Sequence, residues 1–146
     1  MDEVKKYTGE TFIDQRGFTS FNNNFDLKIF RRSYIVESFS KGQIRAWHGH
    51  KEEVKAVIVV NGAVRFCATK ISDFTNPNPT SEVKSFFLAS SKYEIVVVPG
   101  GYANGFQALT DKAKLIFFSS STLDESLKDD FRYQFDYWNP WEFSNY

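Results

Sequence analysis

Short segments rich in β-branched and aromatic residues recur in this chain about every ten residues, and turn-forming residues separate them. In the second half of the chain, such segments span residues 83–88, 94–98, 105–109 and 113–120. The stretch 75–81, TNPNPTS, contains two prolines and no apolar residue, and it is predicted to be a loop. This spacing is typical of an all-β sandwich or barrel and leaves room for few helices.

The middle of the chain carries the clearest turn signal. Residues 56–60 are continuously apolar, and apolar residues alternate along residues 63–71. Asn61-Gly62 stands between these segments, and this dipeptide favours the two-residue turns of β-hairpins. We therefore predict two strands joined as a hairpin. A further strand is predicted over residues 27–37, which are rich in β-branched and aromatic side chains.

The last quarter of the chain differs from the rest in pattern. Thr122 and Glu125 have the spacing of a capping box, which predicts a turn or two of helix within residues 123–130. Residues 131–146 then contain eight aromatic side chains. Because large apolar side chains are rarely left in water, we expect this tail to cover the barrel or a partner subunit.

Composition and charge narrow the range of functions. The chain has 146 residues, the size of one domain, and we expect residues 1–146 to form a single domain. Its 18 basic and 18 acidic residues balance, so no overall field attracts nucleic acid or an anionic membrane surface. The first ten residues contain no apolar segment and the longest apolar runs are too short to span a bilayer, which predicts a cytoplasmic protein. The single cysteine, Cys67, is expected in the core.

Both histidines of the chain lie close together, at His48 and His50. Residues at i and i+2 of a strand point to the same face, so a strand here directs both imidazoles into one space. Arg45 is three positions before His48, so its side chain points to the opposite face of a regular strand. It reaches the same space as the histidines only if the strand bends, and Gly49 is the candidate position for that bend. Lys55 follows and adds a second cation. Two neighbouring histidines also occur as chance pairs or surface metal scavengers, so this pattern alone leaves the function open.

Four motifs follow one another along the chain. They are FIDQRGF at 12–18, IRAWH at 44–48, KAV at 55–57 with Gly62, and PGGYANGF at 99–106. In this order they resemble the dTDP-4-dehydrorhamnose 3,5-epimerase family of cupins. The resemblance implies a cupin fold, that is, a double-stranded β-helix or jelly-roll barrel, with the short helical segment near its C-terminus. It also implies a homodimer that binds a nucleotide-linked 4-keto sugar and epimerises it at C3, C5 or both.

The resemblance assigns roles to four residues. His48 matches the catalytic base, Arg45 and Lys55 match cationic residues of the pocket, and Arg16 matches a residue that contacts the phosphates of the nucleotide. Proton removal next to a ketone leaves an enolate, so the reaction needs a base that titrates near neutrality and a cation at the developing oxyanion. Histidine and lysine supply these two groups.

The chain departs from the family pattern at two positions. Asn104 stands where the family has histidine, and Phe117 stands where the family has the tyrosine that acts as the acid. Since phenylalanine cannot donate a proton, another group must do so if the full reaction occurs. His50, Tyr102 and Asp136 are the candidates for proton transfer. Tyr102 and Asn104 are also expected to contact the substrate.

Two other functions remain open. The pattern Arg45-x-x-His48-x-His50-Lys51 also resembles the paired-histidine motif of the nucleotide-sugar 3,4-ketoisomerases, which need two proton-transfer groups on one face. A non-catalytic cupin that binds a sugar nucleotide is the other alternative. Because His48 and Lys55 are present, an isomerase is favoured over a binding protein.

A metal site is the usual feature of many cupins and is disfavoured here. The third histidine position is Asn104, and Glu52 and Glu53 fall short of the usual spacing after His50. A metal ion needs three or four good protein ligands, so two histidines with a poorly spaced glutamate make a weak set. We expect neither a metal nor another cofactor.

Overall fold

A computed structural model describes residues 2–141, so Phe143 and Tyr146 of the aromatic tail lie outside the described residues. Within that range the chain forms twelve β-strands and one short helix, which confirms the all-β prediction. The elements are β1 Lys5–Thr8, β2 Glu10–Asp14, β3 Gly17–Phe21, β4 Arg32–Ser38, β5 Ile44–His50, β6 Lys55–Asn61, β7 Ala63–Lys70, β8 Val83–Ala89, β9 Glu94–Val98, β10 Tyr102–Ala108, β11 Ala113–Ser119, α1 Leu123–Leu127 and β12 Phe131–Arg132. This helix is not long and apolar enough to cross a membrane.

Two antiparallel five-stranded sheets face each other. The first has the strand order β1-β9-β6-β11-β4, and the second has the order β12-β5-β10-β7-β8. Alternation directs one face of each strand inward, and the apolar side chains of Val57, Val96, Phe66 and Leu115 meet in the space between the sheets. One end of this interior is filled by such side chains, and the other end is open and holds the polar residues of the site described below.

The predicted hairpin at Asn61-Gly62 is wrong, because β6 and β7 belong to different sheets. Both edges of β6 are occupied by β9 and β11, and both edges of β7 are occupied by β10 and β8. The turn therefore carries the chain from one sheet to the other. Gly62 has a φ of 72°, and a Cβ there would lie 2.1 Å from the Thr110 hydroxyl, so the corner requires glycine.

The predicted strand over residues 27–37 is only partly present, because β4 begins at Arg32. Phe30 instead packs with Phe25 over the outer face of the first sheet, against Ile58 and Ile95. This segment is thus a cover for the sheet rather than one of its strands. The apolar content that favoured a strand is used for packing.

The aromatic tail covers the outer face of the second sheet, which is one of the two outcomes expected for it. Trp138 and Trp141 are buried there against Trp47, with ring centroids 5.4 Å and 5.2 Å from the Trp47 ring. Trp47 Nε1 also donates hydrogen bonds to the carbonyl oxygens of Phe135 and Trp138. Cys67 lies in the same cluster and is fully buried, as predicted.

The helix begins with the predicted capping box, since Thr122 and Glu125 each accept the other's backbone N–H. It spans Leu123–Leu127, which is a turn of helix within the predicted range. After the helix, the Asp129 carboxylate accepts hydrogen bonds from three successive backbone N–H groups, those of residues 51–53. These bonds tie the chain after the helix to the loop between β5 and β6.

Candidate active site

The open end of the barrel contains a cavity of about 280 Å³. Strands of both sheets line it, and residues after α1 close one side. Five of the predicted site residues lie in its wall: Arg45, His48, His50, Lys55 and, on the neighbouring strand β10, Asn104. The structure therefore brings these five side chains together. Their chemical roles remain predictions.

A β-bulge explains how Arg45 and His48 reach the same cavity. Across β5 and β10, Asn104 pairs with His48 but Gly105 pairs with Ala46, so Trp47 is an extra residue in β5. The bend predicted at Gly49 therefore lies at Trp47. A Cβ on Gly105 would come within 2.4 Å of the Ala46 Cβ, which makes glycine necessary opposite the bulge.

His48 is partly buried, and its electrostatic environment disfavours a positive charge. Burial is the main cause that lowers the pKa of His48 to about 4, and the cations of Lys55 and Arg132 add to it. The carboxylate of Asp130 acts in the opposite direction. At pH 7 the imidazole is neutral, which is the form that accepts a proton. It is a weaker base than the group titrating near neutrality that the sequence predicts.

Only one ring nitrogen of His50 makes a hydrogen bond within the described residues. Nδ1 lies 2.6 Å from the carbonyl oxygen of Asp129, and since a carbonyl only accepts, Nδ1 is the donor. Nε2 is buried and lies 3.8 Å from Oε2 of Glu53. Burial, followed by the charge of Lys55, lowers the pKa of His50. The ring thus lines the cavity without directing a free nitrogen into it.

Lys55 forms a nearly buried cation at the bottom of the cavity. Its side chain is 11% exposed, and its Nζ lies 3.7 Å from Oε2 of Glu53. The ammonium group also stands 5.7 Å from the ring centre of Tyr34 and 5.8 Å from that of Phe117. A cation held in this way meets the requirement for stabilising negative charge that develops on a bound ligand.

Tyr34 is a cavity residue that the sequence did not single out. It pairs with Phe117 across β4 and β11, and the two rings stack in parallel with centroids 5.2 Å apart. A tyrosine hydroxyl therefore lies one strand away from the position where the family pattern has tyrosine. Only the strand register reveals this placement, and the sequence does not contain a local signal for it.

Asp130 and Arg132 are two further residues missed by sequence reasoning. Both line the cavity, and their side chains form an ion pair at 3.1 Å. The sequence prediction placed a carboxylate from this part of the chain in the site but chose Asp136. The short strand β12, which pairs Arg132 with His48, brings these residues to the cavity.

Three predicted residues lie outside the cavity of their own chain. Arg16 stands on the exposed β2–β3 turn and pairs with Asp14 at 2.6 Å. Tyr102 is buried, and its hydroxyl donates a hydrogen bond of 3.1 Å to Glu3. Burial, with this hydrogen bond, raises the pKa of Tyr102. Asp136 is exposed in the aromatic tail.

The described residues contain no group of three or more His, Cys, Asp or Glu side chains placed to hold a metal ion. Glu53 is the only one of the two glutamates after His50 that is buried, and Lys55 and Arg32 lie within ion-pair distance of its carboxylate. These cations occupy the surroundings in which a metal ion would have to bind.

A model of the dTDP-4-dehydrorhamnose 3,5-epimerase family matches residues 1–136. The chain belongs to this family. Membership confirms the resemblance carried by the four motifs, and it makes the protein an isomerase of the epimerase class. A comparison with curated proteins gives no match.

Solved structures of similar fold include family members and a related enzyme. The dTDP-4-dehydrorhamnose 3,5-epimerase of Bacillus anthracis, with TDP and PPi bound, is 20% identical with a TM-score of 0.70 over 84% of this chain and 76% of that one. The epimerase of Sulfolobus tokodaii is 22% identical with a TM-score of 0.73 over 93% and 80%. A 3,4-ketoisomerase of Thermoanaerobacterium thermosaccharolyticum, a double mutant in complex with TDP, is 22% identical with a TM-score of 0.68 over 92% and 91%.

Proposed function

We propose that this family member binds a nucleotide-linked 4-keto-6-deoxy sugar and epimerises it next to the ketone, at C3, C5 or both. One observation carries the proposal: a neutral imidazole, His48, and a nearly buried cation, Lys55, line the same cavity. This is the pair of groups that proton removal beside a carbonyl requires. The TDP bound to the Bacillus enzyme supports a thymidine nucleotide as the carrier. Such a reaction belongs to deoxysugar and cell-surface polysaccharide synthesis in the cytoplasm.

In this mechanism, His48 removes the proton from the carbon beside the ketone. The electron pair of the broken C–H bond moves toward the ketone oxygen, where Lys55 stabilises the developing negative charge. The Tyr34 hydroxyl returns a proton to the carbon from the other side and inverts its configuration. Arg45 and Asn104 bind the ligand in this proposal, which is supported by their position in the cavity wall.

The test is deuterium exchange in D2O. The protein is incubated with dTDP-4-keto-6-deoxyglucose, and NMR follows the loss of the C3 and C5 proton signals. Exchange at either carbon together with inverted product supports epimerisation. Tyr34→Phe should allow exchange but greatly slow inversion, with Tyr93→Phe as a control because Tyr93 does not line the cavity. If no 4-keto sugar nucleotide exchanges, the catalytic proposal fails and the binding-protein alternative replaces it.

Ketoisomerisation is the second candidate, and the paired histidines with the match over 91% of a ketoisomerase chain favour it. The burial of His50 Nε2, which lies near Glu53, favours epimerisation instead. His50→Asn discriminates between the two. In an epimerase based on His48, exchange at one carbon survives the substitution, whereas in a ketoisomerase the 3-keto product disappears.

We also infer that the protein functions as a homodimer. The β2–β3 hairpin exposes Phe12, Ile13 and Phe18 at 60%, 74% and 71%, which is unfavourable for a hairpin left in water. Arg16 stands at its tip, away from the cavity of its own chain, so a contact with nucleotide phosphates requires a second subunit. A monomer by light scattering at tens of micromolar protein contradicts this inference.

A further inference from the structure

A carboxylate without hydrogen-bond partners lies beneath the floor of the cavity. The side chain of Glu53 is 0% exposed, and neither of its oxygens makes a hydrogen bond to any residue from 2 to 141. Three groups that carry or accept positive charge approach it from three different strands or loops. Arg32 lies at 4.0 Å, His50 at 3.8 Å and Lys55 at 3.7 Å.

Such a group is costly unless it is compensated. Burying a carboxylate away from water carries a penalty of several kcal/mol, which only nearby charges or a bound proton can offset. Glu53 does not line the cavity, so it does not contact a ligand there. Its influence on the reaction must therefore pass through the residues around it.

The hydrogen bond of His50 to Asp129 determines where a proton can be. Because Nδ1 donates to the Asp129 carbonyl, a neutral His50 has a lone pair on Nε2. That lone pair faces Oε2 of Glu53, so an ionised Glu53 and a neutral His50 place two acceptors against each other in a buried site. A single proton bound to either Nε2 or Oε2 removes this conflict.

We propose that Glu53 is a positioning residue that shares one buried proton with His50 and, through the same carboxylate, holds Lys55 at the floor of the cavity. The two side chains then act as one unit. In the isomerase, this unit keeps the Lys55 ammonium and the His50 ring fixed while the charge of the bound ligand changes.

The charged groups around the pair come from every adjoining element. They are Arg32 on β4, His48 on β5, Lys55 on β6, and Asp129, Asp130 and Arg132 after α1. Lys55 opposes a charge on His50, whereas Glu53 and Asp129 favour a proton there. These opposing influences act together on the shared proton.

The wild-type protein provides the first test, which is independent of activity. With only two histidines, the imidazole 15N signals are assigned from His48→Asn and His50→Asn spectra. At pH 7 we expect His50 Nδ1 to be protonated, and either Nε2 protonated or the Glu53 carboxyl carbon at the chemical shift of an acid. A neutral His50 beside an ionised Glu53, or a neutral ring protonated on Nε2 alone, overturns the proposal.

Glu53→Gln provides the second test, with Glu52→Gln as the matched control because the neighbouring Glu52 is exposed and outside the cavity. Where the wild-type spectra place the shared proton on Nε2, removing the charge at 3.8 Å should lower the pKa of His50 by about one pH unit or more, while the control leaves it unchanged. In that case, no change in Glu53→Gln overturns the proposal. If this variant does not fold, the wild-type spectra decide alone.

The catalytic consequence rests on the proposed function and is measured separately. In Glu53→Gln, Lys55 loses the carboxylate that lies 3.7 Å from its Nζ, and we expect kcat for exchange to fall about tenfold with KM unchanged. A rise in KM with unchanged kcat overturns the positioning role. If the wild type shows no exchange at all, the proposed function fails while the NMR result for the shared proton still stands.

Discussion

Two acid–base pairs in this molecule look alike in the sequence and differ in their surroundings. Asp14 and Arg16 on the β2–β3 hairpin approach to 2.6 Å, whereas Glu53 and Lys55 beneath the cavity are 3.7 Å apart. The shorter contact is the less consequential one, because water surrounds Arg16, whose side chain is 81% exposed. The longer contact is almost completely buried, so each of its charges acts strongly on its neighbours. Burial, rather than distance, determines which pair influences the chemistry.

The same contrast extends to the pKa values of the two regions. The Arg16 hydrogen bonds lower the pKa of Asp14, and this affects only the hairpin pair itself. At the cavity, the charge of Lys55 contributes to lowering the pKa of both histidines. A change of charge at the cavity therefore changes the pKa of several groups, whereas a change of charge at the hairpin changes the pKa of one.

The largest effect is expected for His48→Asn. Asparagine keeps much of the volume but cannot accept the proton, so deuterium exchange should fall by at least about a hundredfold. Binding of dTDP, measured by calorimetry, should persist. Retained exchange in this variant would show that another group is the base. The buried charges of the cavity would then have no demonstrated role in the chemistry.

Lys55→Met should reduce exchange to a similar or slightly smaller extent. Loss of the cation at the oxyanion is expected to cost on the order of 3 kcal/mol of transition-state stabilisation. The substitution also leaves the Glu53 carboxylate with one cation fewer, so thermal unfolding should begin at lower temperature. Lys92→Met, on the exposed turn before β9, is the control and should change neither rate nor melting. Equal changes in exchange rate and melting temperature in the two variants would show that a buried charge and an exposed charge have the same influence here.

The pH dependence gives a smaller, graded effect. His48 accepts a proton only when neutral, and its pKa lies at about 4, so the exchange rate should stay level down to about pH 5 and fall tenfold per pH unit below about 4. Because Lys55 contributes to that low pKa, Lys55→Met should move the acid limb to higher pH. An acid limb near pH 6.5 in the wild type would contradict the burial of this imidazole.

The same shift predicts how stability responds to acid. The pKa of His48 is about 4 in the fold and about 6.5 in the unfolded chain, so the unfolded chain binds more protons between these values. The contribution of His48 to stability is complete above pH 6.5 and is lost as the pH falls toward 4. Denaturant unfolding of wild type and His48→Asn at pH 7 and pH 5 checks this, since the variant should show a weaker decline.

The smallest effect on the fold is expected for Arg16→Ala. Because this pair is exposed, the melting temperature of the subunit should not change measurably, and exchange at saturating substrate should remain. If Arg16 reaches the nucleotide of a second subunit, KM should nevertheless rise, and Arg31→Ala, which removes another exposed ion pair, should leave KM unchanged. A large drop in melting temperature would show that the hairpin pair is structural after all.

Local patterns in the sequence predicted the elements better than their arrangement. A short apolar run located β9 over Glu94–Val98, and the i, i+2 spacing of the histidines correctly predicted that both lie beside one cavity. The turn signal at Asn61-Gly62 was also real, but whether the flanking strands pair depends on neighbours that are distant in sequence. Tyr34 was missed for the same reason, because only the register of β4 with β11 brings it to the cavity.

The sequence prediction named Asp136 as the carboxylate of the site, whereas Asp130 lines the cavity, and the reason is related. Asp136 and Asp130 are equally polar and lie six positions apart, and only the pairing of β12 with β5 brings Asp130 to the cavity. The bulge was predicted in the correct strand, but its position was set by Gly105 on the facing strand. Long-range register, which a single sequence does not encode locally, decided both cases.

The bond between His50 and Asp129 joins residues 79 positions apart, and its consequence concerns biosynthesis. A ribosome extends the chain from the N-terminus, so both histidines emerge long before the aspartate that orients one of them. Contacts of such large sequence separation are slow to form and leave partly folded chains exposed meanwhile. Nascent chains that stop before residue 129 should therefore hold most of the barrel strands but not a competent site, so catalytic ability is acquired only after Asp129 has been synthesised.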